Sequence, residues 1–204
     1  MHHGGVAEPP APGQVILLNG VTSSGKSTIA RQLLADFPSP WFHMSVDMFG
    51  AMRSEARTHE LDADALSAVL RRTRAGFHRA VAGMAMAGND IVMDHVLSEP
   101  WRLADLLTVT VGIDVVCVGV HCDRGELERR EAARGDRVPG SAVDQLARVH
   151  AHATYDVEVD TSIESVEECS ARIRGYLLRH PPPAVRAFDT LRGVADSGDG
   201  TVTS

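Results

Sequence analysis

The sequence predicts an α/β protein, a doubly covered parallel sheet with helices on both faces. Three observations carry this. Short apolar, β-branched runs alternate with amphipathic segments of helical period. Val115–Val120 has almost no polar interruption, as befits a strand buried on both faces. Polar candidates recur at the carboxyl ends of three runs: a small-residue loop from Gly20, then Asp47, then Asp94. Ligands of open parallel sheets bind at that edge.

Each element has its own signal. Residues 1–13 are rich in Gly, Pro and His and are expected to be disordered. Val15–Leu18 is the first strand. After the loop, Ile29, Leu33, Leu34 and Phe37 keep helical spacing until Pro38 and Pro40 stop it. Trp41–Val46 is a second strand leading to Asp47. Asp62–Ala87 is a long helix with Leu66, Val69, Leu70, Phe77, Val81 and Met84 on its apolar stripe, closed by Gly88. Ile91–Met93 leads to Asp94, and a helix near Trp101–Leu107 precedes the strand Val115–Val120. Helical stretches at Glu126–Ala133 and Ser141–His152 flank the polar run Arg134-Gly135-Asp136-Arg137. A short strand, Asp156–Val159, leads to a last long helix that opens on Thr161 and Glu164 as a capping box. Its stripe is Ile163, Val166, Cys169, Ile173 and Leu177, and Pro181–Pro183 end it. The expected division is therefore a leading segment 1–13, a domain over 14–180, and a tail over 181–204. That tail is linker-like apart from one weak amphipathic turn at Val185, Phe188 and Leu191.

Composition removes several functions. With 204 residues, 44% hydrophobic and 23% charged, the chain suits one globular domain. A net charge of −7 offers no basic footprint for nucleic acid or an anionic membrane surface. No apolar run reaches the roughly 20 residues of a membrane span, and the first ten residues lack a signal-peptide core. Three cysteines without close pairing point away from disulfide or zinc frameworks and towards a reducing cytoplasm.

Of the 20 basic residues, Lys26 is the only lysine. It sits in Gly20-Val21-Thr22-Ser23-Ser24-Gly25-Lys26-Ser27, which satisfies the phosphate-loop pattern between a strand and a helix. Small residues let successive backbone N–H groups face phosphate oxygens at the positive end of the following helix. Gly20 to Thr28 are thus the candidate nucleotide-binding residues, with Lys26 on the β- and γ-phosphates of ATP and Ser27 on Mg2+. A guanine-reading Asn-Lys-x-Asp motif is impossible with no second lysine, so the GTPase class falls away. A compact small-molecule or nucleotide kinase remains.

Such an enzyme needs a metal anchor, positive charge over the transferring group, and a base for the acceptor. Asp94 is the candidate second metal-holding residue, against the alternative of a loop or capping aspartate. Asp47 is placed to align and deprotonate an acceptor alcohol, against a structural role. Arg134 and Arg137, hinged by Gly135, read as a lid that clamps phosphate oxygens, against an ordinary arginine-rich surface loop. His95 can touch substrate or serve as a loop histidine. His150 and His152 are two apart in a helical stretch, where side chains do not converge on a metal. Met84 and Trp41 read as packing.

These pieces resemble the chloramphenicol phosphotransferases, small kinases that phosphorylate the antibiotic's primary hydroxyl. The resembling segments are LNGVTSSGKSTIARQL (18–33), PWFHMSVD (40–47), VGVHCDRGELERREAARGDRVPG (118–140) and VHAHATYDVEVDTS (149–162). The resemblance implies that Asp47 is the general base, that Gly20 to Ser27 hold the ATP phosphates, and that Arg134 and Arg137 are lid arginines. Asp94 matches the first member of an acidic pair whose second position is here His95. Segment 48–75, expected to line the acceptor pocket, is the least similar. The expected activity is ATP- and Mg2+-dependent O-phosphorylation of a small molecule, chloramphenicol or a similar antibiotic, in resistance or self-protection. The alternatives are a nucleoside, nucleotide or other metabolite kinase of the same fold, and a non-catalytic ATP-sensing protein.

Overall fold

In a computed structural model, which describes residues 10–134 and 141–198, the predicted alternation closes into one parallel sheet. Its strands are β1 (Val15–Asn19), β2 (Trp41–Ser45), β3 (Asp90–His95), β4 (Val115–His121) and β5 (Val157–Asp160), in the order β2-β3-β1-β4-β5. β1 lies between β3 and β4, with Leu18 opposite both Asp94 and Val118. This register brings the end of β1, where the phosphate loop begins, beside the ends of β3 and β4.

The period of two in the strands sorts side chains between two cores. Val15, Leu17, Ile91, Met93, Val115 and Cys117 join one cluster with Phe77, Val81 and Ala85. These last three come from α4 (Ala63–Met86). Ile16, Leu18, Val92, Val116 and Val118 join the other, with Ile29 and Leu33 from α1 (Lys26–Asp36) and Cys169 and Ile173 from α8 (Val166–Arg179). Helices therefore cover both faces, as the sequence requires. Phe77 is fully buried, which contributes about 1.5–3 kcal/mol relative to leaving it in water.

Several boundaries move for physical reasons. β2 ends at Ser45, whose hydroxyl accepts from Met48 N and caps α2 (Val46–Ala51), so Asp47 stands in a helix's first turn rather than at a strand's end. α3 (Glu55–His59) follows, also unread from the sequence. α4 keeps its predicted span almost unchanged because Asp62 caps it, accepting from Ala65 N. β3 runs on to His95, placing Asp94 inside the strand. α5 (Pro100–Val109), α6 (Arg124–Arg134) and α7 (Ser141–Val149) follow the expected order.

The capping box of the last long helix is a correction. It is formed by Ser165 and Glu168 at the start of α8, not by Thr161 and Glu164. The Thr161 hydroxyl is engaged elsewhere, donating to Ser24 O, and Glu164 accepts from Asp160 N across a tight turn. Ile163, expected on the apolar stripe, is 82% exposed in consequence. Beyond the prolines, α9 (Ala187–Gly198) is longer than the single weak turn expected there. Phe188 and Ala187 enter the first core, and Arg186 pairs with Asp114 at 2.7 Å.

Candidate active site

A cavity of about 270 Å³ opens at the carboxyl edge of the sheet, lined on one side by the phosphate loop and on the other by Asp47, Arg74 and Arg102. The loop is shaped by its small residues. A Cβ at Gly20 would lie 2.4 Å from Val120 O, and Gly25 holds a φ of +93°, which glycine adopts without strain. Gly25 immediately precedes Lys26, the first residue of α1, so the loop's backbone meets the positive end of that helix.

Lys26, Ser27 and Asp94 converge. Ser27 Oγ donates to Asp94 Oδ2 at 2.5 Å, and Lys26 Nζ lies 3.8 Å from Asp94 Oδ1 while donating to Val21 O at 2.7 Å. Burial by itself would raise the Asp94 carboxyl. His43, Lys26 and Ser27 outweigh it and hold the group below the ordinary carboxylate value. His43 Nε2 stands 3.9 Å from the carboxylate, beyond hydrogen-bond reach. An ionised carboxylate beside a hydroxyl is a hard-oxygen pair of the type Mg2+ takes.

A second, adjoining space is bounded by Ser23, Gly25, Thr28, Arg130, Thr161 and Val166, on the other side of the phosphate loop. Arg130 braces it, donating to Thr161 Oγ1 at 3.0 Å and to Thr161 O at 2.8 Å. The phosphate loop is tied to α7 as well, through Thr22 N donating to Gln145 Oε1 at 3.3 Å. Asn19, wholly buried at the end of β1, anchors three segments: its amide donates to Val149 O and Tyr155 OH, and its carbonyl accepts from Leu97 N.

His95 does not line the cavity. It is fully buried in a chain in which Asp105 Oδ2 meets His78 Nδ1 at 2.6 Å and His78 Nε2 meets His95 Nε2 at 2.9 Å. Burial holds His95 well below the usual histidine value, and neighbouring His78 adds to that. This answers the open reading: His95 is a core histidine beneath α4 and α5.

The sequence model of the family described as "Chloramphenicol phosphotransferase-like protein" matches residues 13–177. The chain belongs to that family. Two Mycobacterium tuberculosis proteins, named "Putative O-phosphotransferase MT2714" (strain CDC 1551) and "Putative O-phosphotransferase Rv2636" (strain H37Rv), are each 31% identical over 200 residues, covering 88% of both chains. Among solved structures, the Mycobacterium tuberculosis APS kinase CysC in complex with AMPPNP and APS shares 17% identity at a TM-score of 0.61, over 83% of this chain and 99% of that one. Shikimate kinase from Acinetobacter baumannii shares 11% identity at 0.62, over 83% and 95%. These two show the fold: that of the small P-loop kinases.

The family's expected residues are thus brought to one edge, except at the lid. Arg137 lies outside the described residues, and Arg134 is the last residue of α6, with nothing described of its side chain. Sequence reading missed Arg74, Arg102 and Arg130. Arg130 lies among alternating arginines and glutamates, and nothing in a chain so rich in arginine marks it out. Arg102 could have been noticed as the one cation of a helical segment rich in apolar residues.

Proposed function

We propose that the protein is an ATP- and Mg2+-dependent O-phosphotransferase acting on the hydroxyl of a small molecule. The observation that carries this reading is that the phosphate loop and Asp47 line a single cavity. Gly20 to Thr28 hold the nucleotide's phosphates, Lys26 contacts the β- and γ-phosphates, and Ser27 and Asp94 hold the metal. Bound Mg2+ supplies charge neutralisation at the β- and γ-phosphate oxygens. Asp47 aligns the acceptor hydroxyl and takes its proton as the oxygen bonds to the γ-phosphorus and ADP departs. Arg134 and Arg137 close over the transferring group. The nucleoside end occupies the space braced by Arg130. The three cysteines, all free and buried, suit a reducing cytoplasm, and no described helix is long and apolar enough to cross a membrane.

Family membership makes chloramphenicol or a similar antibiotic the first acceptor to test, with resistance or self-protection as the role it would imply. A metabolite, nucleoside or nucleotide kinase is the second reading, and the arginines on the acceptor side favour it. Incubation with Mg·ATP and chloramphenicol, then with nucleosides and metabolite alcohols, followed by mass spectrometry, tests both. A phosphorylated product is expected. Tight ATP binding with no product from any acceptor would instead identify an ATP sensor.

A further inference from the structure

Asp47 does not stand alone on the acceptor side. The main cavity also exposes Arg74 and Arg102, and a neighbouring cavity of about 230 Å³ is walled by Val46, Asp47, Gly50, Arg53, Leu70, Thr73 and Arg74. No phosphate-loop residue borders the second space. Arg53, which lines this space and not the main cavity, is therefore not placed against the phosphate loop. Asp47 and Arg74 line both cavities, so a molecule presenting a hydroxyl to Asp47 reaches Arg74 and Arg53 with its remainder.

The guanidiniums are incompletely engaged. Among the described residues no carboxylate lies within salt-bridge distance of Arg74 or Arg53, whereas Arg57, Arg79, Arg124, Arg129 and Arg186 all have one. Arg53 Nε and Arg102 Nε are buried without a hydrogen-bond partner. Arg102 is otherwise fixed, with Nη1 donating to Val96 O at 2.8 Å and Nη2 paired with Glu99. Burial makes the Arg74 cation less favourable than in water, and the repulsion of Arg102 and Arg53 adds to this, with Glu99 and Asp47 opposing. Asp94, the other carboxylate of the cavity, is already bound to Ser27. Like charges held together with buried unpaired N–H groups are the pattern of a site completed by an anion.

We propose that the acceptor is an anionic alcohol, a small hydroxylated carboxylate, phosphate or sulfate ester, whose charge is held by Arg74 and Arg53 with Arg102 behind them while its hydroxyl faces Asp47. This rests on the phosphotransferase reading for its hydroxyl but not for its anion site. Leu70 and Thr73 leave room for a short carbon skeleton between the two ends. A neutral antibiotic leaves the arginines unanswered, and is a poor acceptor beside an anionic alcohol of similar size.

The test separates the anion from turnover. The protein is saturated with Mg·AMPPNP, so that its phosphate loop is filled, and titrated calorimetrically with inorganic sulfate, inorganic phosphate and acetate. Saturable binding of at least one anion is expected, weakened about tenfold or more in both Arg74→Gln and Arg53→Gln, with AMPPNP affinity held within about twofold. The arms distinguish tetrahedral anions from carboxylates. Arg53 stands between α2 and α3, neither of which contains a buried residue, so Arg53→Gln guards against a folding defect in the Arg74 variant. No saturable binding, or binding that both variants leave unchanged, overturns the proposal. In parallel, glycerate and glycerol 3-phosphate are compared with glycerol and chloramphenicol as acceptors. Turnover favouring a neutral member, insensitive to Arg74→Gln, also overturns it. Anion binding without phosphorylation of any acceptor upholds the site and removes the phosphotransferase reading instead.

Discussion

Lys26 is nearly buried, with its ammonium between Val21 O and Asp94, and an ammonium fits that space where a planar guanidinium does not. A chain that otherwise supplies positive charge as arginine keeps lysine at this one position. Lys26→Arg is expected to lower kcat by about a hundredfold or more, measured by coupled ADP release; near-normal turnover would remove Lys26 from its proposed role. Asp47→Asn tests the base. Its turnover should fall by about 10² to 10⁴ while ATP affinity, followed by calorimetry, stays close to wild type. Unchanged turnover would exclude Asp47 as the proton acceptor. Both residues were legible because their positions, after a strand and within a motif, carry the information. Arg74 and Arg53 were not, since nothing local separates an arginine that faces a cavity from one that faces water.

At the level of elements, legibility followed the amount of buried apolar surface. α4 was read to within a residue because Asp62 caps it and Phe77, Val81 and Ala85 repeat on one face. α2 and α3 contain no buried residue, so no apolar period announces them, and the segment between Asp47 and Asp62 stayed unassigned. The start of α8 was misplaced by one turn because two threonine- or serine-led candidates stand four residues apart, and tertiary contacts with Ser24 and Arg130 draw Thr161 away. Ser165→Ala should cost about 1 kcal/mol, a Tm decrease of about 2–4 °C for a chain of this size. Thr161→Ala, in contrast, removes a brace of the phosphate loop rather than a cap. If thermal denaturation found Ser165→Ala indistinguishable from wild type, the reciprocal cap would carry no stability.

Taken as a whole, the molecule holds several histidines neutral. Burial lowers His78, His95 and His152, and lowers His150 to about 4, with the charge of His121 contributing to the last. The unfolded chain binds these protons near the ordinary value of 6.5, so between there and about pH 4 it carries more protons than the folded one. Stability is therefore at its full value above about pH 6.5 and declines as pH falls through that window. The lowered carboxylates, Asp94 and Asp105, add their own loss only at more acid pH. Melting temperatures recorded from about pH 7.5 to about pH 4.5 should fall steadily, with a shallower slope in His150→Asn. A slope identical in that variant would show that His150 titrates alike in both states. The sequence by itself determined the parallel α/β fold, the phosphate loop and the choice of Asp47 and Asp94 as the carboxylates of the sheet's carboxyl edge, because periodicity and motif spacing are local properties of a chain. Only the tertiary structure decided what surrounds Asp47, that His95 lies in the core, and that Arg74, Arg53 and Arg102 line cavities beside Asp47. Those are matters of which side chains from distant elements share one space, and that depends on how α2, α4 and α5 pack over the sheet.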